Sequence, residues 1–222
     1  VSAEAGSERF VPAAGRRGLT RFYDAAIALT MRESLFRSRL AAQVLAGLPG
    51  EGRIVDVGAG TGTLAIDLAA AAPAAAVTGI DPDPQILAIA RSKDGAAAVE
   101  WLAGFADGLP LADGSCDRVV MSLVLHHLDA AAKGAALAEA HRVLRAGGRI
   151  HIADWGRAQD PLMRSTFFAL QLIDGFDGTR DHVAGRLPGF VETAGFVELE
   201  RHDRLRTAWG SLELLSAVRS GA

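Results

Sequence analysis

From Leu19 the apolar residues recur at helical spacing, at Phe22, Tyr23, Ala26, Ile27, Met31 and Leu35 and then at Leu40, Val44 and Leu45. This predicts one bent helix or two short ones, ending near Leu48-Pro49-Gly50. Beyond that point short β-rich runs alternate with helical stretches. Arg53–Val57 reads as a strand, 61–72 as a helix stopped by Pro73, and Ala76–Ile80 as a second strand. A helix over 83–92 follows, with Asp83 as its cap and Pro84 in the first turn. Ala98–Leu102 is a third strand and Asp117–Leu123 a fourth. A helix over 129–145 closes at Gly147-Gly148, and Arg149–Ala153 is a fifth strand. Strands alternating with helices at this spacing predict a parallel sheet covered on both faces. The last third breaks the rhythm. Residues 156–194 read as two or three helical pieces. Phe196–Glu200 and Arg206–Arg219 then read as two antiparallel strands joined by a short turn around Asp203. Residues 1–18 mix Gly, Ser, Pro and charge without periodicity and read as a loose tail, leaving 19–222 as a single domain.

Composition narrows the class. The chain has 222 residues, enough for one large domain with a sizeable core. Half of them are hydrophobic, but alanine inflates that share, so core volume rests on Leu, Val, Ile and the nine Phe. The net charge of −3 lacks the basic excess of a nucleic-acid-binding protein. A single cysteine, Cys116, leaves no internal disulfide and no Cys-rich metal site, as expected in a reducing cytoplasm. The uncharged run between Asp67 and Asp81 is thirteen residues long and broken by Pro73, too short to span a membrane. Residues 1–18 have no apolar signal-peptide core. Of the 23 basic residues only Lys93 and Lys133 are lysines, a coding bias without functional content.

In an open α/β sheet the ligand sits at the carboxyl ends of the strands. After the first strand the chain reads Val55-Asp56-Val57-Gly58-Ala59-Gly60-Thr61-Gly62, a glycine-rich turn against which a ligand can press. Asp81, after the second strand, stands where a carboxylate takes both ribose hydroxyls, and Asp83 is better placed for capping. Asp56 discriminates between adenosine cofactors. A pyrophosphate at a helix amino terminus wants donors and positive potential, which a carboxylate opposes. S-adenosylmethionine has no phosphate and carries an ammonium and a sulfonium, which welcome an acid. The spacing is also G-x-G-x-G, with Thr63 where a dinucleotide fingerprint has its last glycine.

At these residues the chain resembles the class I S-adenosylmethionine-dependent methyltransferases, in the small-molecule branch that includes ubiquinone and menaquinone biosynthesis. The resemblance spans about 19–219. It rests on VDVGAGTG (55–62), GIDPDP (79–84), LPLADGSCDRVVMSLVLHHL (109–128), EAHRVLRAGGRIHIADW (139–155) and ETAGF (192–196). It implies a doubly wound, seven-stranded, mostly parallel Rossmann-like sheet of order 3-2-1-4-5-7-6, its last strand antiparallel. An amino-terminal helical cap over 19–48 and a lid over 156–194 would flank the site. Asp56, Gly58, Ala59, Gly60 and Gly62 would lie along the methionine and ribose of S-adenosylmethionine, with Asp81 on the ribose hydroxyls beside Pro82. In the stretch 104–107 relatives often carry an acid where this chain has Phe105, which leaves the Ala106 amide and Phe105 stacking for the adenine. Ser122 and Leu123 would lie near the sulfonium. Tyr23 resembles the aromatic that covers the methionine end, and a core role fits its spacing equally. Cys116 stands where relatives have Phe, as a core replacement.

Catalytic candidates on the acceptor side are Asp154, His126 and His127. Asp154 either faces the acceptor or caps the next helix. One of the two histidines either acts as a base or hydrogen-bonds to backbone beneath the cofactor, and neighbouring side chains on a helical turn diverge too much for a metal clamp. The motifs of amino-methylating nucleic-acid enzymes and of cytosine-carbon methylases are both missing after the fourth strand. The expectation is therefore methyl transfer to a small acceptor, apolar or aromatic, with no metal, no nucleic acid and no integral membrane segment. A non-catalytic S-adenosylmethionine-binding protein and a dinucleotide-dependent oxidoreductase remain as alternatives.

Overall fold

A computed structural model describes residues 32–221. The tail 1–18, Tyr23 and the first half of the predicted cap lie outside the described residues. Helix α1 (Glu33–Leu45) is followed by β1 (Arg53–Val57), α2 (Thr63–Ala71), β2 (Ala76–Asp81), α3 (Pro84–Arg91), β3 (Val99–Ala103) and β4 (Cys116–Ser122). Then come a 3-10 turn (Leu125–His127), the second after one at Ala96–Ala98, α4 (Ala130–Val143), β5 (Leu144–Trp155), α5 (Pro161–Asp174), α6 (Arg180–Val183), α7 (Leu187–Thr193), β6 (Phe196–Thr207) and β7 (Gly210–Arg219).

The seven strands form one sheet in the order β3-β2-β1-β4-β5-β7-β6. Pairing is parallel from β3 through β5, and β7 runs antiparallel to both β5 and β6. The apolar runs explain this architecture. Ile54, Val57, Ile80, Val119, Val120, Met121, Ile150 and Ile152 are all buried, so the central strands are covered on both faces. One face packs α4 and α7 through Ala136, Leu137, Ala140, Leu187 and Val191. The other packs α1, α2 and α5 through Phe36, Leu40, Leu64, Leu68, Phe167 and Leu170. Strand order reverses between β1 and β4, which opens a crevice at their carboxyl ends.

Helix ends are fastened as the residue types dictate. Asp83 caps α3 by accepting from the Gln85 and Ile86 amides, Asp129 caps α4 and Asp160 caps α5. At the far end of α1 the buried Arg118 guanidinium donates to the carbonyls of Val44, Ala46 and Gly47, satisfying a helix terminus from the sheet below. Cys116 is buried, its Sγ 3.1 Å from the Val143 carbonyl, and burial pushes its thiol up to about 12. It is core.

The closing hairpin departs from expectation. The turn falls at Ala208-Trp209, and Asp203 lies inside a continuous β6. Strand β6 is the sheet's edge, with register shifts between Val197 and Glu200 and between Arg201 and Asp203. Its exposed positions carry Glu198, Glu200, Arg201, Arg204 and Arg206. Charged edges resist pairing with other chains, and that same charge, with two bulges, hides the strand's period of two.

His151 on β5 is 2% exposed, and neither ring nitrogen has a hydrogen-bond partner among the described residues. Burial, then the neighbouring Arg118, pushes its imidazole down to about 3. An unfolded histidine titrates near 6.5. Below that pH the unfolded chain binds a proton that the folded chain refuses. Stability is full above about pH 6.5 and falls toward pH 3 by about 1.4 kcal/mol per unit. The His151→Leu variant is expected to lose less melting temperature than the parent between pH 7.5 and pH 5. Equal losses would show that His151 finds a partner on protonation.

Candidate functional site

The predicted site residues that lie among the described residues collect along one edge of the sheet, at the carboxyl ends of β1 to β5. The glycine loop folds over the end of β2: the Gly58 and Ala59 amides donate to the Ile80 carbonyl at 2.8 and 2.9 Å. Asp81 then ties the loop to the next turn. Its carboxylate accepts from the Gly60 amide and the Asp83 amide, both at 2.9 Å. Burial pushes its carboxyl up, against the pull of those two amides. Each carboxylate oxygen keeps a lone pair beyond the one it gives to backbone, so a diol can still be accepted.

The three glycines have different reasons. A side chain at Gly58 would collide with Val124 at 2.4 Å, and one at Gly62 with the Trp101 ring at 2.3 Å, so both are glycine for packing. At Gly60 a side chain would meet nothing within 4 Å. The backbone there is left-handed, with φ of 55°, and its open side faces free space. Room against bare backbone, beside a carboxylate, is what an adenosine ligand would require. Asp56, at the end of β1, is 2% exposed.

Pro82 and Ala106 are half-buried and Phe105 is 40% exposed at the mouth, closed into a small turn by the Gly108 amide on the Phe105 carbonyl. Ser122 ends β4. Leu123 follows it with φ of 58°, a left-handed conformation that is uncommon outside glycine. Its amide donates to the Ala153 carbonyl at 2.8 Å, and the reversed backbone turns the chain into the 3-10 turn that carries the two histidines. Strain at such a position is common where a site must be aimed.

Asp154 fits neither of its two sequence readings. It is 0% exposed, so it does not face a cleft, and the following helix is capped by Asp160. Instead its Oδ2 accepts from the Leu125 amide at 2.8 Å and the His126 amide at 3.4 Å. Its Oδ1 meets His126 Nδ1 at 2.8 Å and the Trp155 amide at 2.7 Å. Burial alone would raise this carboxyl, but the facing His126 and His182 and the bonds it accepts hold it well below the usual carboxylate range. An ionised Asp154 only accepts, so the His126 Nδ1 carries the hydrogen of that bond. His126 is 4% exposed. His127 is exposed, and its ring lies 3.9 Å from that of His126, closer than the expected divergence.

Two partners in this cluster escaped the sequence. His182 on α6 is fully buried, donates from Nδ1 to the Trp155 carbonyl at 2.6 Å, and stands 3.8 Å from Asp154. Lys133 is also fully buried. Its ammonium donates to the Leu128 carbonyl at 2.7 Å and the Gly178 carbonyl at 2.6 Å, with Asp181 at 3.5 Å. It joins the histidine turn to the segment before α6, where a side chain at Gly178 would strike the His126 carbonyl. His182 sits in no motif. Lys133 offered one faint signal, as one of two lysines in an arginine-rich chain. Among the described residues no group of three or more His, Cys, Asp or Glu could hold a metal ion.

If Asp81 holds a ribose diol, Asp81→Ala should weaken S-adenosylhomocysteine binding by about 1.5–3 kcal/mol, the range for bonds to a charged group. Equilibrium titration checks this, and unchanged affinity would move the ribose elsewhere.

A family model described as a methyltransferase domain matches residues 54–148. The chain is 31% identical over 204 residues to the ubiquinone/menaquinone biosynthesis C-methyltransferase UbiE of Syntrophotalea carbinolica, covering 83% of this chain and 84% of that one. It is 38% identical over 147 residues to the demethylmenaquinone methyltransferase of Chlorobaculum parvum, covering 64% of this chain and 59% of that one. Among solved structures, a S-adenosylmethionine-dependent methyltransferase of Thermotoga maritima, described as a possible histamine N-methyltransferase, superposes with a TM-score of 0.68. It shares 24% identity and covers 91% of this chain and 97% of its own. The phosphoethanolamine N-methyltransferase 2 of Haemonchus contortus, solved with S-adenosyl-L-methionine, gives a TM-score of 0.63 at 16% identity. That match covers 82% of this chain and 53% of the other.

Proposed function

Because the chain belongs to the class I S-adenosylmethionine-dependent methyltransferases, we propose that it methylates a small molecule whose nucleophilic atom must first lose a proton. The observation that carries this reading is the buried pair of Asp154 Oδ1 and His126 Nδ1, 2.8 Å apart, just past the carboxyl ends of β4 and β5.

Asp154 is a positioning residue in this reading. It fixes the hydrogen on His126 Nδ1 and holds the ring in place, and His126 is the proposed general base toward the acceptor. His127, exposed beside it, lines the acceptor's approach. Gly58, Ala59, Gly60 and Gly62 supply bare backbone for the methionine and ribose part, Asp81 accepts from the ribose hydroxyls, and Pro82, Phe105 and Ala106 hold the adenine. Ser122 and Leu123 border the reacting end, and Tyr23 covers it from the amino-terminal side. When bound, S-adenosylmethionine supplies an electrophilic methyl group on a sulfonium. The chain's own contribution is alignment in a dry pocket, with one proton taken at His126 Nε2. Displacement at a sulfonium carbon needs no metal ion.

The relatives bear the names of quinone methyltransferases, and a quinol or phenol is an acceptor of the proposed kind: aromatic, with an acidic hydroxyl that activates the ring. Phe168, Leu172 and Phe176 are exposed along α5 and just beyond it, an apolar border suited to such a molecule. Among the described residues no helix is long and apolar enough to cross a membrane. The acidic net charge favours a small acceptor over nucleic acid, and the proposed compartment is the reducing cytoplasm. The test is transfer of label from methyl-tritiated S-adenosylmethionine to a panel of reduced naphthoquinones, simple phenols and amines. Label in the quinols or phenols is expected. Label in amines alone, or in nothing, would overturn the reading.

A further inference from the structure

Lys133 lies in the apolar stripe of α4, with Ala136, Leu137, Ala140 and Val143, and is fully buried. A leucine or methionine would fill that position without taking a charge out of water. Burial pushes the ammonium down, and Asp181 is the first of the groups that pull it back. A buried charge pair seldom stabilises a fold more than apolar packing of the same volume, so stability alone does not account for the lysine. What it does is make three connections: to the Leu128 carbonyl at 2.7 Å, the Gly178 carbonyl at 2.6 Å and Asp181 Oδ2 at 3.5 Å.

These acceptors belong to two separate pieces of chain. Leu128 closes the turn that carries His126 and His127, its amide donating to the Leu125 carbonyl. Gly178 and Asp181 belong to the stretch that enters α6. That stretch lies against the turn: a side chain built at Gly178 would stand 2.1 Å from the His126 carbonyl oxygen. One residue past Asp181, His182 donates to the Trp155 carbonyl, and its ring meets that of His126 edge-on with centroids 6.2 Å apart. His126 is therefore bonded to Asp154 and packed against a stretch that Lys133 fastens to the histidine turn.

We propose that Lys133 is a positioning residue for the reaction: its ammonium pins the stretch 178–182 to the histidine turn and thereby keeps the His126 ring in register with Asp154. With its hydrogens engaged by two carbonyls and a carboxylate, the ammonium takes no proton from the acceptor and acts through the ring. The proposal rests on His126 as the base, as read above, and adds the group that keeps it aimed.

The test is Lys133→Met, which keeps the length of the side chain and removes its donors. Asp181 retains Arg186 at 3.5 Å, so no carboxylate is left without a cation. The variant is expected to melt cooperatively and to bind S-adenosylhomocysteine as the parent does. The first readout is NMR of the imidazoles in isotope-labelled protein, with the His126 signal identified by its loss in His126→Gln. The parent is expected to show a slowly exchanging Nδ1 proton on His126. Lys133→Met should lose it, together with amide protection at 125–128 and 178–182 but not at 58–62. The second readout is turnover of reduced naphthoquinone, expected to fall about 10²-fold, the scale of cost for a reacting group displaced by an ångström. In the His126→Gln background the same change should cost nothing further, because the ring that it positions is gone.

An equal fall in both backgrounds, or a His126 proton as protected in Lys133→Met as in the parent, would overturn the proposal and leave the base assignment standing. Loss of that proton in Lys133→Met, in a parent that methylates neither quinols nor phenols, would support the pin and overturn the function proposed above. Should Lys133→Met fail to melt cooperatively, Asp181→Asn, which keeps the lysine and weakens its hold, carries the same expectations in smaller measure. Parent-like exchange at His126 and parent-like turnover in that variant would overturn the proposal.

Discussion

Replacing Asp154 by asparagine is expected to cut turnover by about 10²–10⁴, the range for loss of a general base, while leaving S-adenosylhomocysteine affinity unchanged. The carboxylate accepts at both oxygens, from the Leu125 amide on one side and from His126 Nδ1 and the Trp155 amide on the other. An amide side chain accepts at one atom only. Its NH2 group must then face a donor, either a backbone amide that cannot change or the His126 ring that can. The ring is the softer partner. It shifts its hydrogen from Nδ1 to Nε2, which then cannot take the acceptor's proton as the proposed base. The proposed donor contacts at the glycine loop, Asp81 and Phe105 are not bonded to Asp154, so binding and chemistry separate in one variant. A cooperative melt checks that the protein still folds, and His126→Gln should repeat the loss. Near-normal turnover in both variants would mean that the acceptor needs no protein base.

The second large effect is expected at Gly60. Valine there should abolish detectable binding of S-adenosylhomocysteine in a folded protein. No atom lies within 4 Å of a side chain built at this position, so the valine has room in the ligand-free fold. Its cost is the left-handed backbone, of order 1–3 kcal/mol. What it removes is the space against bare backbone. Gly58→Val is the contrast, because that side chain meets Val124 at 2.4 Å and should unfold or distort the loop. Thermal melts and titrations of the two variants together distinguish a ligand cradle from a packing requirement. A Gly60→Val protein that binds normally would place the ligand elsewhere.

The parallel half of the sheet was legible because each strand there is a short apolar run between turn residues, and Asp83 and Pro84 announce their helix without help from the rest of the fold. The β6–β7 hairpin was legible only as a pair. Its edge strand has no apolar face to show a period, and two bulges shift what period there is. The glycine loop and Asp81 could be named from spacing, since a tight turn and a carboxylate at the next strand end are local demands. The distinct duties of Gly58, Gly60 and Gly62 could not, because they depend on Val124 and Trp101 arriving from the turn after β4 and from β3. Asp154 shows the same limit more sharply. Its position at the end of β5 was legible, but a strand end does not reveal whether a side chain points to solvent or into a turn from 29 residues earlier. His182 and Lys133 are long-range partners in an irregular segment and on a helix. No periodicity or motif marks them before the chain is folded.

The most direct measurement of the central claim is calorimetric titration of the unmodified protein with S-adenosylhomocysteine and, separately, with NAD. The expected result is micromolar binding of S-adenosylhomocysteine at one site per chain, with a rise in melting temperature corresponding to about 2.7 kcal/mol at 100 times the dissociation constant. NAD is expected to show no heat and no stabilisation, because the acidic edge of the loop at Asp81 gives its pyrophosphate no positive potential. Stabilisation by NAD with none by S-adenosylhomocysteine would contradict the assignment.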